Sequence, residues 1–195
     1  SEWKSLILQV TNGCSWNRCS FCDMYTAPQK QFRAQKLDNV AADILKVKQS
    51  GVPIYRVFLA DGDAMSLPFK RLEAICLLIR EHLPQVTRIS SYCLPRNLTN
   101  KTPEQLSRLR EQGLSLLYVG CESGDDEVLT CISTGKTYAS SLAALVNIRA
   151  AGLQSSVMII NGLGDERFSG HHAFTSPKLL IPAQPDYPST LAATR

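Results

Sequence analysis

Three cysteines crowd into one short loop near the start of the chain. Cys14, Cys19 and Cys22 lie within nine residues, directly after the apolar run SLILQV and with no histidine close by. A structural zinc site needs four ligands, and a second cysteine or histidine pair is missing here. A [4Fe-4S] cluster prefers one cysteine for each iron, so three thiolates would leave one iron open to a small molecule. Three thiols on one loop therefore predict such an open cluster, with incidental loop thiols or an incomplete zinc knuckle as the alternative.

The overall composition indicates a cytosolic globular protein. The chain has 195 residues, of which 44% are apolar and 19% are charged, and this is enough for one domain with a sizeable core. Seven cysteines are an odd number, whereas a disulfide scaffold distributes pairs along a short secreted chain. Four stand singly in apolar surroundings, where a cysteine usually acts as a small hydrophobe: Cys76, Cys93, Cys121 and Cys131.

Charge and hydropathy give no support to a nucleic-acid or membrane partner. The formal charge of +4 allows a nucleic-acid partner, but Lys and Arg are scattered and form no basic block. The longest apolar runs fall far short of the roughly 20 residues that a membrane span needs, and the N-terminus lacks a secretory layout. We expect no membrane association.

Strand-like and helix-like segments alternate about every 30 residues, which predicts an α/β fold with one mostly parallel sheet. Runs such as VFLA and VMII are apolar on successive residues, as expected for strands covered by helices. The predicted strands are 6–10, 55–60, 86–91, 114–120, 154–160 and 186–192. The predicted helices are 37–50, 68–82, 103–112 and 138–151, with a short or broken helix near 167–180, where Pro177 and Pro182 fall. The pattern fits an open doubly wound sheet or a partly closed barrel.

Polar segments follow the predicted strands at the point where each strand ends. The cysteine loop follows the first strand, and ADGDAM, SYCLPRN, CESGDDE and NGLGDE follow the next four. Because both architectures bind ligands at the carboxyl ends of parallel strands, thiols, carboxylates, the Arg96 guanidinium and glycines should share one rim.

The cysteine loop closely resembles the cluster-binding loop of the radical S-adenosylmethionine (radical SAM) superfamily, most like the group that includes anaerobic coproporphyrinogen oxidase-like and methylthiotransferase-like proteins. The spacing is C-x4-C-x2-C, one residue longer in the first gap than the usual C-x3-C-x2-C. The resemblance implies a partial (β/α)6 TIM-like barrel formed by one radical SAM core domain over 1–195. Because the given chain stops near the sixth predicted strand, we expect a fragment or a minimal core without a C-terminal extension. It also implies that the three cysteines hold a [4Fe-4S] cluster.

The resemblance further implies a reaction and a cofactor. In that family the open iron binds S-adenosylmethionine, and an electron from the reduced cluster splits it into methionine and a 5'-deoxyadenosyl radical that abstracts hydrogen from a substrate. A flavodoxin or ferredoxin would supply the electron. The alternative function is a non-catalytic iron-sulfur or zinc-binding electron-transfer module. A second, auxiliary cluster on Cys93 and Cys121 is a further alternative, although two thiols are too few for most clusters.

Two carboxylate segments resemble the family's cofactor-binding positions. Asp61, Gly62 and Asp63 stand where the family has a Gly-Gly-Glu-type motif that receives the methionine ammonium, with Asp in place of the first Gly. A carboxylate suits a cation, and glycine allows close backbone approach. Glu122 and Ser123 resemble the polar pair that contacts the ribose and methionine portions, with a short helix DDEVLTCI following.

Three further residues are expected to bind the cofactor. Ser91 lies at the end of the third strand, ahead of Arg96, which could bind a carboxylate of the cofactor or substrate. Gly162 begins a loop, NGLGDE, that is similar to the family's adenine-packing G-L-P-G-E loop, with Gly164 in place of Pro. Phe21 would contact the same adenine or shield the cluster from water.

The segment TCISTGKT resembles a phosphate-binding loop only in part. TCISTGKT contains Gly-Lys-Thr, but a phosphate-binding loop needs a glycine five residues before Gly135, where Thr130 stands. The segment also follows a helix-like run rather than a strand. We expect Lys136 to lie near the cofactor rim or in solvent.

Overall fold

The computed structural model describes residues 2–163 and 165–193, in which parallel strands form one six-stranded sheet. Its order is β1-β4-β5-β6-β7-β8, and a separate antiparallel pair joins β2 and β3. The strands are β1 (Leu6–Gln9), β2 (Thr11–Asn12), β3 (Arg33–Ala34), β4 (Arg56–Ala60), β5 (Arg88–Cys93), β6 (Leu114–Glu122), β7 (Gln154–Asn161) and β8 (Tyr187–Ala192). The predicted parallel α/β fold is confirmed, and within the described ranges β1 and β8 end the sheet unpaired with each other, as in a partial barrel.

Helices connect the strands of the sheet and cover one of its faces. They are α1 (Leu37–Gln49), α2 (Phe69–His82), α3 (Pro103–Glu111), α4 (Asp126–Cys131), α5 (Tyr138–Ala150) and α6 (Asp165–Ala183), with single 3-10 turns at 28–30, 64–66 and 95–98. Helix α3 begins at Pro103 because the Thr102 side chain accepts a hydrogen bond from the Gln105 N–H. Among the described residues, no helix is both long and apolar enough to cross a membrane.

The two faces of the sheet have different surroundings. Alternate side chains such as Val57, Leu59 and Val119 are fully buried against the helices and form the core. On the opposite face Phe58, Tyr92 and Tyr118 form an aromatic cluster, in which the Phe58 and Tyr92 ring centroids are 4.9 Å apart. This second face faces the interior of the partial barrel.

The N-terminal segment is anchored at the amino ends of the strands. Oε1 of Glu2 accepts hydrogen bonds from the Tyr118 hydroxyl at 2.7 Å and from the Arg88 guanidinium at 2.7 Å. Burial raises the pKa of Glu2, but hydrogen bonds from Ser5 and Tyr118 and the charge of Arg88 outweigh it, so the pKa lies below its usual range. These contacts leave the carboxyl ends of the strands as the open rim.

The expectation of a short or broken last helix was wrong. Helix α6 is continuous over 19 residues and contains both Pro177 and Pro182. A proline inside a helix costs about 3 kcal/mol because it removes one hydrogen bond and clashes with the preceding turn. Both proline rings lie on the exposed side, whereas a buried stripe packs on the sheet and compensates for the loss. That stripe consists of His172, Ser176, Leu179 and Ala183.

Candidate active site

The cysteine loop lies at the carboxyl end of the sheet, and its three thiols are half-buried. Cys14, Cys19 and Cys22 are free, and the Cys22 N–H donates to the Cys19 carbonyl at 3.3 Å. Burial raises the pKa of Cys19, the charge of Lys136 lowers it, and Glu122 and the other two thiols raise it further. The three thiols therefore lie within electrostatic reach of one another and of a carboxylate and an ammonium from β6 and its following loop.

The loop offers three cysteine thiols as metal ligands. Among residues 2–163 and 165–193, no three His, Cys, Asp or Glu side chains converge as ligands of a single metal ion. Each cysteine of a [4Fe-4S] cluster binds its own iron, so three thiol donors on one loop suit a cluster in which one iron has no cysteine ligand.

Asp61 ties the cysteine loop to the end of β4. Its carboxylate accepts hydrogen bonds from the Tyr25 hydroxyl at 3.1 Å, the Lys30 ammonium at 3.0 Å and the Gly13 N–H at 3.4 Å. Gly62 packs so closely on this loop that an added Cβ would lie 2.6 Å from the Tyr25 ring. Both oxygens of Asp61 are therefore engaged by residues of the loop itself.

Asp63 has a different environment, although it stands only two residues away. Its side chain is fully buried, and Oδ2 accepts hydrogen bonds from the Ser15 N–H at 3.3 Å and from the Ser15 hydroxyl. Oδ1 has no hydrogen-bond partner. Burial raises the pKa of Asp63, and the Ser15 hydrogen bonds, the nearby Asn97 side chain and the charge of Arg96 only partly oppose this effect. A buried carboxylate oxygen without a partner is a site that a ligand donor would satisfy.

Glu122 ends β6 in an unusual backbone conformation and forms a buried ion pair. Its φ is +64°, and the pairing of β6 with β7 shifts register between Gly120 and Glu122. Nζ of Lys136 lies 3.1 Å from Oε1 of Glu122 and 2.6 Å from the Gly120 carbonyl oxygen. Both side chains are largely buried, with 4% of the Lys136 side chain and 11% of the Glu122 side chain exposed. Lys136 therefore lies at the rim, bonded to a predicted ribose-binding residue.

Ser123 is held by a histidine that the sequence reasoning did not assign to the site. Its hydroxyl lies 2.8 Å from Nδ1 of His172, whose Nε2 lies 3.2 Å from Oδ1 of Asn161. Burial lowers the pKa of His172, and the charge of Asp125 opposes this. This hydrogen-bonded chain joins the ends of β6 and β7 through α6. No local sequence pattern marked His172, because the buried face of α6 is set by packing on the sheet.

A second residue missed from the sequence is Trp16, inside the four-residue gap between the first two cysteines. Its indole N–H donates to the Ser133 carbonyl at 2.8 Å, and the Arg96 guanidinium lies 3.8 Å from the ring centroid. Arg96 also donates to the carbonyls of Thr134 at 2.8 Å and Gly135 at 3.2 Å. We call this arrangement of Trp16, Arg96 and residues 133–135 the latch. It joins the cysteine loop to the segment that carries Lys136.

The remaining predicted residues are less directly engaged. The Ser91 hydroxyl donates to the backbone carbonyls of Leu59 and Tyr92, at 3.2 and 3.0 Å. Phe21 is 39% exposed, and Gly162 is exposed with a φ of +88°. The predicted role of Gly164 lies outside the described residues.

Cys93 and Cys121 are core residues at the ends of neighbouring strands. Both are at least 98% buried. Burial raises the pKa of the Cys93 thiol above its usual range and that of Cys121 to about 12. Two buried thiols are too few ligands for most clusters.

A family comparison identifies this combination of fold and rim. The model of the Radical SAM superfamily matches residues 8–174, which include the cysteine loop, both carboxylate segments and His172. The chain belongs to the radical SAM superfamily. Its cofactors are those of that superfamily, a [4Fe-4S] cluster and S-adenosylmethionine. No curated protein sequence matches the chain significantly.

Several solved structures share the fold. Methylornithine synthase (PylB) is 17% identical with a TM-score of 0.69, over 97% of this chain and 53% of that one. Coproporphyrinogen III oxidase (HemN) from Escherichia coli is 20% identical with a TM-score of 0.69, over 97% and 44%. The radical SAM methyltransferase TsrM from Kitasatospora setae, solved with cobalamin and a [4Fe-4S] cluster, is 17% identical with a TM-score of 0.73, over 96% and 36%. The chain spans about half the length of these proteins or less, and the likeness confirms the partial-barrel fold.

Proposed function

We propose that this chain is the core of an enzyme that cleaves S-adenosylmethionine reductively and uses the resulting radical to abstract hydrogen from a substrate. When bound, the reduced cluster supplies the electron that breaks the sulfonium bond and releases methionine and a 5'-deoxyadenosyl radical. The observation that carries the proposal is the packing of the three-cysteine loop against Asp63, whose buried Oδ1 has no partner. An ammonium donor would satisfy that oxygen.

Each rim residue has a proposed role. Cys14, Cys19 and Cys22 hold the cluster through their thiolates, and Asp63 with Gly62 orients the methionine ammonium. Within the described residues the carboxylate of Glu122 is engaged only through Oε1, so Oε2 can accept from ribose hydroxyls. Ser123, fixed by His172, supports Glu122 from the next position. These roles follow from donor and acceptor chemistry and from shared position at the rim.

Other predicted residues divide into two groups. Asp61 acts by positioning the cysteine loop, because its oxygens are occupied by Tyr25, Lys30 and Gly13. Phe21 and Gly162 remain candidates for the adenine, since both leave surface open to a ligand. Ser91 supports the end of β5 through its backbone contacts.

The reductant and the compartment complete the proposal. A flavodoxin or ferredoxin would deliver the electron in the cytosol, where reduced thiols are the rule. All seven cysteines of the chain are free, which agrees with that compartment. A non-catalytic iron-sulfur or zinc module would need neither the open Asp63 oxygen nor the Glu122 carboxylate.

Anaerobic reconstitution with iron and sulfide tests the proposal. We expect about four irons per chain. We also expect an electron paramagnetic resonance spectrum that shifts on adding S-adenosylmethionine, and 5'-deoxyadenosine after reduction. Cys19→Ala should abolish all three, whereas Cys131→Ala, an exposed cysteine outside the loop, should change none. A cluster whose spectrum ignores S-adenosylmethionine would instead support an electron-transfer module.

A further inference from the structure

A basic cavity adjoins the cysteine loop, between the segments that follow β4 and β5. Its volume is about 660 Å³, within the range of small-molecule sites. Its lining includes three cationic side chains, Lys70, Arg96 and Lys101, and no carboxylate, and it reaches from Ser15 to Pro68 and Phe69 at the start of α2. Ser15 directly follows Cys14, so the cavity reaches the loop itself.

Lys101 is the unusual member of this lining. The residue is only 6% exposed, and its ammonium donates to the carbonyls of Met65 at 2.7 Å and Asn97 at 3.0 Å. No carboxylate in the described part of the chain lies within ion-pair distance of it, although the charge of Asp63 acts on it from farther away. Burying a charge without a counter-ion is costly, and two carbonyls leave the third ammonium hydrogen available.

The N-terminus of α2 opens on the same cavity. Pro68 precedes the helix without a side-chain cap, and the first turn carries no acidic residue. The N–H groups of the first helical residues, Phe69 and Lys70, lack intrahelical partners, and the helix dipole places partial positive charge there. Together with Lys101 and Arg96, this end of the helix makes the cavity complementary to an anion.

We propose that the cavity binds an oxyanion group, a phosphate or a carboxylate, of a small-molecule substrate. Lys101 and the α2 N-terminus would hold the group, and Lys70 and Arg96 would contact it from the rim. Only the identification of the ligand as substrate rests on the proposed function. Anion binding itself needs neither cluster nor S-adenosylmethionine, so the two proposals can fail separately.

Titration calorimetry of the 195-residue chain with inorganic phosphate, and in parallel with succinate, tests the site. We expect saturable binding of at least one anion, weakened about tenfold by Lys70→Met and by Lys101→Met. Lys48→Met removes the same charge from exposed α1 and should leave binding unchanged. Lys70 is also exposed, so that variant carries the test if Lys101→Met does not fold.

The two anions distinguish the source of the charge. Tighter phosphate binding indicates a phosphorylated substrate, and tighter succinate binding indicates a carboxylate. The proposal is overturned if neither anion binds saturably below about 10 mM, or if Lys48→Met weakens binding as much as Lys70→Met. Anion binding without 5'-deoxyadenosine formation would contradict the proposed function and leave the cavity assignment standing.

Discussion

Nζ of Lys136 lies 3.1 Å from Oε1 of Glu122, and the pair is buried where β6 ends. The same ammonium lies 2.6 Å from the Gly120 carbonyl oxygen, so it joins the carboxylate to the strand that carries it. Glu122 holds a positive φ, which is uncommon for a residue with a side chain. The pair therefore fixes a proposed cofactor-binding carboxylate in a conformation that it would not otherwise favour.

Breaking this pair should destabilise the protein strongly. Lys136→Met leaves the Glu122 charge buried without a partner, and we expect the free energy of unfolding to fall by about 3–5 kcal/mol. Glu122→Gln combined with Lys136→Met should cost less than the sum of the two single changes. Urea denaturation at pH 7 measures all three variants. If each single change lowers the free energy of unfolding by less than about 1 kcal/mol and the two losses add up to that of the double variant, solvent screens the pair.

His172 should make stability depend on pH. Burial lowers its pKa in the folded state, so folding favours the neutral imidazole. The stability that this contributes is present above the unfolded pKa of about 6.5 and is lost as pH falls through that value towards the lower folded pKa. Between pH 7.5 and about 5.5, a window that spans the unfolded pKa of His172, the free energy of unfolding should fall more for wild type than for His172→Asn.

The neighbouring histidine provides a matched control for this measurement. His171 has a side chain that is 79% exposed, with Nδ1 3.8 Å from an Asp125 oxygen. His171→Asn should retain the wild-type pH dependence of the urea midpoint. If His172→Asn retained it as well, the buried imidazole would not be the titrating group.

Asp61 should control how well the loop retains its cluster. Asp61→Asn removes the ion pair with Lys30 and weakens the contacts to Tyr25 and Gly13, while the cysteines stay in place. Residues that orient a ligand loop typically contribute about 10-fold or more to metal affinity. The Asp61→Asn variant should therefore lose its iron at a chelator concentration about 10-fold or more below that needed for wild type. Asp43→Asn, which removes an exposed ion pair on α1, should retain wild-type iron.

Gly135 should tolerate no side chain. Its φ is +62°, and an added Cβ would overlap the Trp16 ring and lie 2.8 Å from an Arg96 nitrogen. The conformation alone costs a non-glycine residue about 1–2 kcal/mol, so Gly135→Ala should exceed that cost. Adding Trp16→Ala should restore part of the loss. Thermal denaturation measures both.

A glycine in open space is the control for this change. Gly170 lies inside α6 with nothing within 4 Å of an added Cβ. Gly170→Ala should stabilise the protein by about 0.5–1 kcal/mol, because alanine favours the helix. A Gly135→Ala variant as stable as wild type would show that Trp16 and Arg96 can move away from residue 135 without loss of stability.

Local patterns were enough to predict most elements of the fold. Hydrophobic runs and helix-end signals predicted the six sheet strands, and the helices that connect them, to within a few residues. The failure at Pro177 and Pro182 has a clear cause. Proline acts locally, but the buried stripe of α6 gains its stability from packing on the sheet, which no local pattern displays.

Chain order determined which residues meet at the rim, since every parallel strand delivers its following loop to the same end. The sequence by itself therefore specified the cysteine loop, the two carboxylate segments and their common edge. Only the tertiary structure decided which groups these residues contact: Asp61 contacts the cysteine loop, Glu122 contacts Lys136, and Ser123 contacts His172. It also decided that one oxygen of Asp63 has no hydrogen-bond partner. Those partners are far apart in the chain, and the backbone conformation and burial that bring them together arise only when the whole sheet has formed.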